Sequence, residues 1–176
     1  MKKLIFFLFA LLPLCINAQW VITPSGVMVD SITNKPYMII ERAGTATELY
    51  REVVRNVHSM FVSPDDAIST IENEMVSVKG YAHTVLKYGG LTCDLEPYIS
   101  VKIEFKDNRM KVEASWVRVV WMRSAPVDPY TLLVRGSLKC FDKRGKVKNE
   151  KRYNIYNEVS NGFINRVMKH KVEEDW

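Results

Sequence analysis

The residues best suited to metal binding or proton transfer are the three histidines, His58, His83 and His170, and they are spread 25 and 87 positions apart. None has another ligand-type residue at the spacings that zinc sites favour, so the sequence holds no metal motif. His58 and His170 each fall near the expected C-terminal end of a helix, where a partly positive imidazole complements the helix dipole. His83 falls in an expected strand beside Tyr81 as a surface or half-buried residue. Nucleophile signatures are missing too: there is no Gly-x-Ser-x-Gly, no Ser-x-x-Lys serving a strained turn, and no cysteine at a helix start with a histidine in recognisable context. Gly89-Gly90 lacks the following helix that a phosphate loop needs and reads as a turn. Glu72 and Glu74 are expected on one strand face, where a solvated surface outweighs a carboxylate pair, because acid–base pairs need partners facing each other across a cleft. No catalytic, cofactor-binding or metal-binding residue is assigned, and the chain reads as non-enzymatic.

Contact surfaces are better represented. Residues 139–152 hold seven bases, among them Lys143, Arg144, Lys146, Lys148 and Arg152, against the acids Asp142 and Glu150. Such a cluster fits an acidic polysaccharide, lipopolysaccharide phosphate or an acidic protein patch, and the competing reading is a solvated hairpin turn. Tyr153 and Tyr156 adjoin it and could stack on a ligand. Trp116 and Trp121 lie in one expected strand at odd separation. Either they face opposite sides, leaving Trp121 on an exposed apolar patch, or a β-bulge returns both to the core.

The N-terminus indicates the compartment. Lys2 and Lys3 precede an apolar run over residues 4–14 and the short segment Cys15-Ile16-Asn17-Ala18, the pattern of a secretory signal peptide cut after Ala18. The run is far short of the roughly 20 residues that span a bilayer, and no later segment qualifies as a membrane helix. The expected product is periplasmic or extracellular. A lipoprotein anchored through Cys15 is the alternative, disfavoured by the bulky Leu14 before it.

The whole chain has 176 residues and a formal charge of +5. Without residues 1–18 it carries 23 bases and 20 acids, a bias too slight for a dedicated nucleic-acid or membrane-surface protein. Cys93 and Cys140 remain, and an oxidising compartment would allow them to pair, stabilising the fold by roughly 4 kcal/mol. Two buried free thiols are the alternative.

What must position these groups is a single domain over residues 37–176, preceded by an arm over 19–36 broken by Pro24, Gly26 and Pro36. Residues 37–41 read as a buried strand. Thr45 and Glu48 form a capping box that opens a helix with Leu49, Val53, Val57 and Phe61 on one face. Four strands are expected over 68–88, 98–106, 109–122 and 131–141, the middle two joined by an Asp107-Asn108 turn. Ile155, Val159, Phe163 and Val167 mark a closing helix over about 151–170, in which Gly162 is expected to permit close approach to the sheet. The order β-α-β-β-β-β-α predicts an α+β fold, an antiparallel meander with two helices on one face.

The stretches Tyr37-Met38-Ile39-Ile40, Thr45-Ala46-Thr47-Glu48-Leu49-Tyr50, Ile99-Ser100-Val101-Lys102-Ile103-Glu104-Phe105 and Asp107-Asn108-Arg109-Met110-Lys111 resemble a bacterial exported family, domain of unknown function 4468, with a TATA-box-binding-protein-like fold. The resemblance covers residues 37–122. It implies the topology above, and brings no activity or site residues; a fold shared with nucleic-acid binders does not imply nucleic-acid binding. The expected function is an exported binding or protein-interaction module for an unknown protein or cell-envelope component, without a cofactor. The rival is a helix-grip carrier, holding a lipid-like ligand in a cavity lined by Val101, Ile103, Trp116, Val159, Phe163 and Val167.

Overall fold

The computed structural model describes residues 19–122 and 124–169; the expected leader with Cys15, and His170, lie outside them. In chain order the elements are β1 (Trp20–Ile22), β2 (Met28–Asp30), β3 (Met38–Glu41), α1 (Ala46–Met60), α2 (Pro64–Ala67), β4 (Ile68–Ile71), β5 (Met75–Tyr81), β6 (Thr84–Tyr88), β7 (Leu91–Lys106), β8 (Arg109–Trp121) and α3 (Glu150–Val167). The fold is α+β, with a mainly antiparallel sheet. Its spine is the β7–β8 hairpin, where strict alternation of apolar and polar residues lets two long strands bury one face and expose the other. The sheet runs β3–β8–β7–β5–β4, and β6 pairs with the first part of β7.

The hairpin tip also starts the first helix. Asn108 turns the chain in the left-handed region at φ 62°, which asparagine tolerates. Its amide N–H donates to the Gly44 carbonyl at 2.8 Å, and the Asp107 carboxylate accepts from the Ala46 N–H at 2.9 Å. The capping box is present: the Glu48 N–H donates to the Thr45 hydroxyl at 3.3 Å and the Thr45 N–H to the Glu48 carboxylate at 2.7 Å. Leu49, Val53 and Val57 of α1 then join Ile99, Val101 and Ile103 of β7 in one core.

The closing helix carries more than apolar contacts. Trp116 is buried against it, its indole N–H donating to the Ser160 hydroxyl at 2.8 Å and its ring meeting Tyr156 edge-on at 5.5 Å. The Tyr156 hydroxyl donates to the Leu138 carbonyl at 2.6 Å. Asn157 and Asn161, one helical turn apart, take up the edge of β1: the Ile22 N–H donates to Asn157 Oδ1 at 2.8 Å, the Trp20 N–H to Asn161 Oδ1 at 3.0 Å, and Asn161 Nδ2 to the Trp20 carbonyl at 2.7 Å. What the sequence presents as an arm is thus a β1–β2 hairpin, with Trp20, Ile22 and Met28 buried in the main core.

Several expectations are corrected. Residues 68–88 form three strands, broken where Asn73 adopts φ 58° and turns the chain between Ile71 and Met75, and again at Ala82-His83 between β5 and β6. Glu72 and Glu74 therefore sit in a turn and share no strand face. Residues 131–141 contain no strand ladder. Thr131–Arg135 is a π-helical turn, begun by the Asp128 carboxylate accepting from the Thr131 N–H at 2.9 Å and closed by the Gly136 N–H on the Thr131 carbonyl at 2.7 Å. Leu132, Leu133 and Val134 are all buried, which three successive residues of a one-sided strand could not be. The strand expected over 37–41 is an edge strand on β8, buried at Met38 and open at Ile39. The β7–β8 register slips between Tyr98 and Ile99, leaving Val117 unpaired as a bulge. Core positions shift from Trp116 to Val119, and Trp121 is returned to the core side, half-buried.

Gly162 is exposed, and a Cβ there would meet nothing within 4 Å, so it does not serve close approach to the sheet. Gly162→Ala should raise the unfolding free energy by about 0.5–1 kcal/mol, read from the urea midpoint, because the helix loses only a conformational penalty. A decrease would place the residue against the body of the protein.

Cys93 and Cys140 are both free and buried, which corrects the candidate disulfide. Cys140 belongs to the main core cluster, and Cys93 stands opposite Leu86 in the β6–β7 ladder. Burial pushes the Cys140 thiol up to about 12. At pH 8 Cys140 should react with Ellman's reagent only as the chain unfolds; rapid labelling of the native protein at Cys140 would contradict its burial.

Carboxylates also shape the turns. The Asp30 carboxylate accepts from the Ile32 N–H at 3.0 Å and the Thr33 hydroxyl at 2.7 Å, and these bonds hold its pKa below the ordinary value. Asp128 and Asp142 are lowered in the same way, by Thr131 and by the Lys146 and Arg144 N–H groups. A lowered carboxyl contributes stability above its unfolded pKa and loses it as pH falls through its folded one. Asp30→Asn should therefore be less stable than wild type at pH 7, and the two should converge in acid below the carboxylate range. A gap that persists there would trace to something other than the charge.

Candidate functional site

Both long helices pack on one side of the sheet, and among the described residues no helix covers its other face. Alternation along β7 places Asp94, Glu96, Tyr98, Ser100, Lys102 and Glu104 on that outer face, opposite Leu95, Ile99, Val101 and Ile103 in the core. From Asp94 to Lys102 the row runs about 26 Å at roughly 3.3 Å per residue.

The middle of the row is an aromatic and cationic platform. Tyr81, Tyr98 and Arg118 are cross-strand neighbours on β5, β7 and β8. The Tyr81 and Tyr98 rings lie 4.7 Å apart, and the Arg118 guanidinium sits 4.4 Å from the Tyr98 centroid and 5.7 Å from that of Tyr81. The bulge at Val117 is what brings Arg118 opposite Tyr98. No carboxylate among the described residues forms an ion pair with Arg118. Its neighbour Lys79, opposite Ser100, is exposed and has no ion pair among them either.

A cleft lies on each side of the platform. One, of ≈ 410 Å³, is lined by Ser100, Lys102, Glu113, Ser115 and, from the chain's start, Val27 and Pro36. The other, of ≈ 260 Å³, is lined by His83, Asp94, Glu96, Val120 and Met122. His83 lies in the β5–β6 connection, its Nε2 3.4 Å from Asp94 Oδ1, both side chains exposed. At the wall of the first cleft, Lys102 pairs with Glu104 at 2.6 Å and Lys111 with Glu113 at 2.6 Å, so the directly opposed Lys102 and Glu113 each bond elsewhere. The Lys102 hydrogen bond lowers the Glu104 pKa, and the Glu113 hydrogen bond raises that of Lys111.

The contact residues expected from sequence divide into two groups. Lys143, Arg144, Lys146 and Lys148 are exposed on one turn. Asp142 shapes it, accepting from the Arg144 N–H at 2.8 Å and the Lys146 N–H at 2.9 Å, while Gly145 takes φ 79°. Residues 139–152 hold the chain's surplus of bases, since the rest of 19–176 has more acids than bases. Arg152 and Tyr153 turn inward. Arg152 donates to the carbonyls of Ser137 at 2.9 Å and Lys139 at 3.2 Å, and Tyr153 packs edge-on against Phe141 at 5.6 Å. Trp121 is half-buried against the core and forms no exposed patch; the exposed apolar residues of that stretch are Val117 and Met122. His58 is exposed in the last turn of α1, as expected.

The side chains expected to line a carrier cavity are core. Val101, Ile103, Trp116, Phe163 and Val167 are buried together, with Val159 packed against them. A Cβ on Gly80 would stand 2.8 Å from the Phe61 ring and 3.1 Å from that of Phe163, so the sheet and its cover are in close contact there.

The class of protein is therefore an α+β domain with one sheet face covered by helices and the other uncovered by the described residues. It shares its fold with the crystal structure of a DUF4468 family protein from Bacteroides ovatus, at a TM-score of 0.55 over 79% of this chain and 88% of that one, with 8% identity. A TBP-like protein from Parabacteroides distasonis aligns over 77% of this chain and 92% of that one, at a TM-score of 0.42 and 10% identity. No family model matches the chain, and no curated protein matches it by sequence. Among the described residues no helix is long and apolar enough to cross a membrane.

The platform of Tyr81, Tyr98 and Arg118 is the feature that sequence reasoning missed. Alternation alone puts Tyr98 outward. Arg118 is placed only by the bulge, for which the one signal is the two-tryptophan phase conflict between Trp116 and Trp121.

Proposed function

We propose that the chain is an exported, non-enzymatic binding module whose principal contact surface is the uncovered sheet face, with the basic turn at Lys143, Arg144, Lys146 and Lys148 as a second patch. The observation that carries this reading is the outer face itself, where two clefts flank an arginine stacked on paired tyrosines and lacking an ion-pair partner among the described residues. Guanidinium and aromatic side chains presented together are the residue types that dominate recognition surfaces. Export is supported by the basic and apolar leader, and by Gln19 lying exposed just before β1.

Two measurements test the reading. The intact mass of protein recovered from the periplasm or medium should lack residues 1–18; cytosolic protein retaining Met1 overturns export. A photo-cross-linking residue at Ser100 should give adducts with envelope material in intact cells, while one at Arg51 on the exposed side of α1 gives none. Adducts from Arg51 alone, or from neither position, overturn the assignment of the surface.

A further inference from the structure

We propose that the tip of the β6–β7 hairpin and the basic segment 139–152 together form a surface that adsorbs to a bilayer of anionic phospholipid. Leu91 and Tyr88 enter the headgroup layer there, among lysines that meet the lipid phosphates. The inference rests on the second patch of the binding-module reading and names what that patch meets.

Strand phase sets the apolar half of this surface. Leu86 of β6 and Cys93 and Leu95 of β7 are buried on the helix-covered side of the sheet. Tyr88 and Leu91, each two positions nearer the turn and directly opposed in the ladder, point the same way but past the end of the core. They are 38% and 63% exposed. The Gly89-Gly90 turn beyond them takes φ 55° and 82°, and a Cβ on either glycine would meet nothing within 4 Å, so the tip stands clear of the body.

Arg152 joins the cationic half to it. Its guanidinium lies 5.7 Å from the Tyr88 ring centroid while donating to the Ser137 and Lys139 carbonyls, which places the tip beside the start of α3 and the basic segment. Lys139, Lys143, Arg144, Lys146, Lys148 and Lys151 are exposed there, and none forms an ion pair among the described residues. The segment's two acids are Glu150 and Asp142, and the Asp142 carboxylate already accepts from the Arg144 and Lys146 N–H groups. Over the whole chain the basic bias is slight, but its concentration beside an apolar tip gives it a direction.

The combination selects the occupant. A soluble polyanion, whether acidic polysaccharide or polyphosphate, would use the lysines and leave a projecting leucine in water. A protein partner is served by exposed arginine and aromatic groups, whereas lysine is depleted at such interfaces. Here Arg152, Tyr153 and Tyr156 turn inward, and five of the six exposed cations are lysines. A bilayer surface offers both halves what they need: phosphates for flexible ammonium groups, and acyl chains just beneath for Leu91, with the tyrosine at headgroup level.

The test sediments the chain from Gln19 onward with vesicles of phosphatidylcholine, alone or with about a third phosphatidylglycerol. Binding to the anionic vesicles should exceed that to the neutral ones by about tenfold or more and fall as salt is raised. Lys148→Glu with Lys151→Glu should weaken it by a similar factor and Leu91→Ser by several-fold, at unchanged thermal midpoints. In Leu91→Trp, bromine-labelled acyl chains should quench the emission beyond the wild-type level, and polyphosphate should not. Equal binding to neutral vesicles, binding to neither, or full binding by the double lysine variant overturns the proposal. So does a Leu91→Trp emission that the bromine label leaves unchanged, since the patch would then serve soluble polyanions. If vesicle binding fails while Ser100 still gives cross-links, the membrane assignment falls and the sheet face stands; if only the cross-links fail, the reverse holds.

Discussion

Trp116→Ala should lower the unfolding free energy by about 3–5 kcal/mol, the usual cost of truncating a large buried aromatic. The side chain is 3% exposed, packs edge-on against Tyr156 and donates its only polar hydrogen to Ser160. Removing it empties the junction of β8 and α3 and leaves the Ser160 hydroxyl without that donor, although its own hydrogen still goes to the Tyr156 carbonyl at 2.7 Å. Against a total of roughly 5–15 kcal/mol for ordinary domains, this is a large fraction. Trp116→Phe keeps most of the ring and should lose less, so the ordering wild type, Phe, Ala in urea midpoints is the diagnostic. A loss below about 1 kcal/mol for the alanine variant would show that the residue does not join sheet to helix.

Gly26→Ala should cost about 2–4 kcal/mol, from two terms. The backbone there sits at φ 85°, which L-residues resist, and a Cβ would stand 2.6 Å from Pro129 Cβ and 3.1 Å from the Trp116 carbonyl oxygen. That same turn places the Gly26 carbonyl to accept the Trp116 N–H at 2.8 Å, so relief by movement would break the hairpin's tie to β8. Gly145→Ala separates the terms. It has a similar φ of 79°, but its Cβ would lie 3.4 Å from a single Pro24 side-chain atom, and it should lose only the conformational part, about 1–2 kcal/mol. Equal losses at the two glycines would mean that the close contact at Gly26 carries no weight.

How far the sequence reaches can be judged from individual elements. The capping box at Thr45 and Glu48 and the tight Asp107-Asn108 turn between β7 and β8 are formed by residues within a few positions of one another, and both are legible and present. The alternation over 98–106 and 109–116 fixes which residues face the core, because a strand buried on one face has no other way to hide them. Local patterns fail where tertiary structure decides. Residues 131–135 are β-formers that become a π turn because a helical turn alone can bury Leu132, Leu133 and Val134 together. The arm over 19–36 is polar by composition, yet its few apolar residues enter the core through bonds to a helix more than a hundred residues away. Arg118 could not be assigned to the outer face without the phase slip at Val117, and Arg152 and Tyr153 look like surface groups until the carbonyls and ring that occupy them are known.

The pairing of β1 with Asn157 and Asn161 ties the beginning of the folded body to its end. The bonds join residues 135 and 141 positions apart, so the first strand has no finished place until the last helix exists. A chain released from one end must carry Trp20 and Ile22 unsheltered until nearly all of its length has emerged, so the docking of β1 waits on the closing helix. Clipping within α3 would then be felt at once at the opposite terminus, as a loosened tryptophan with altered fluorescence.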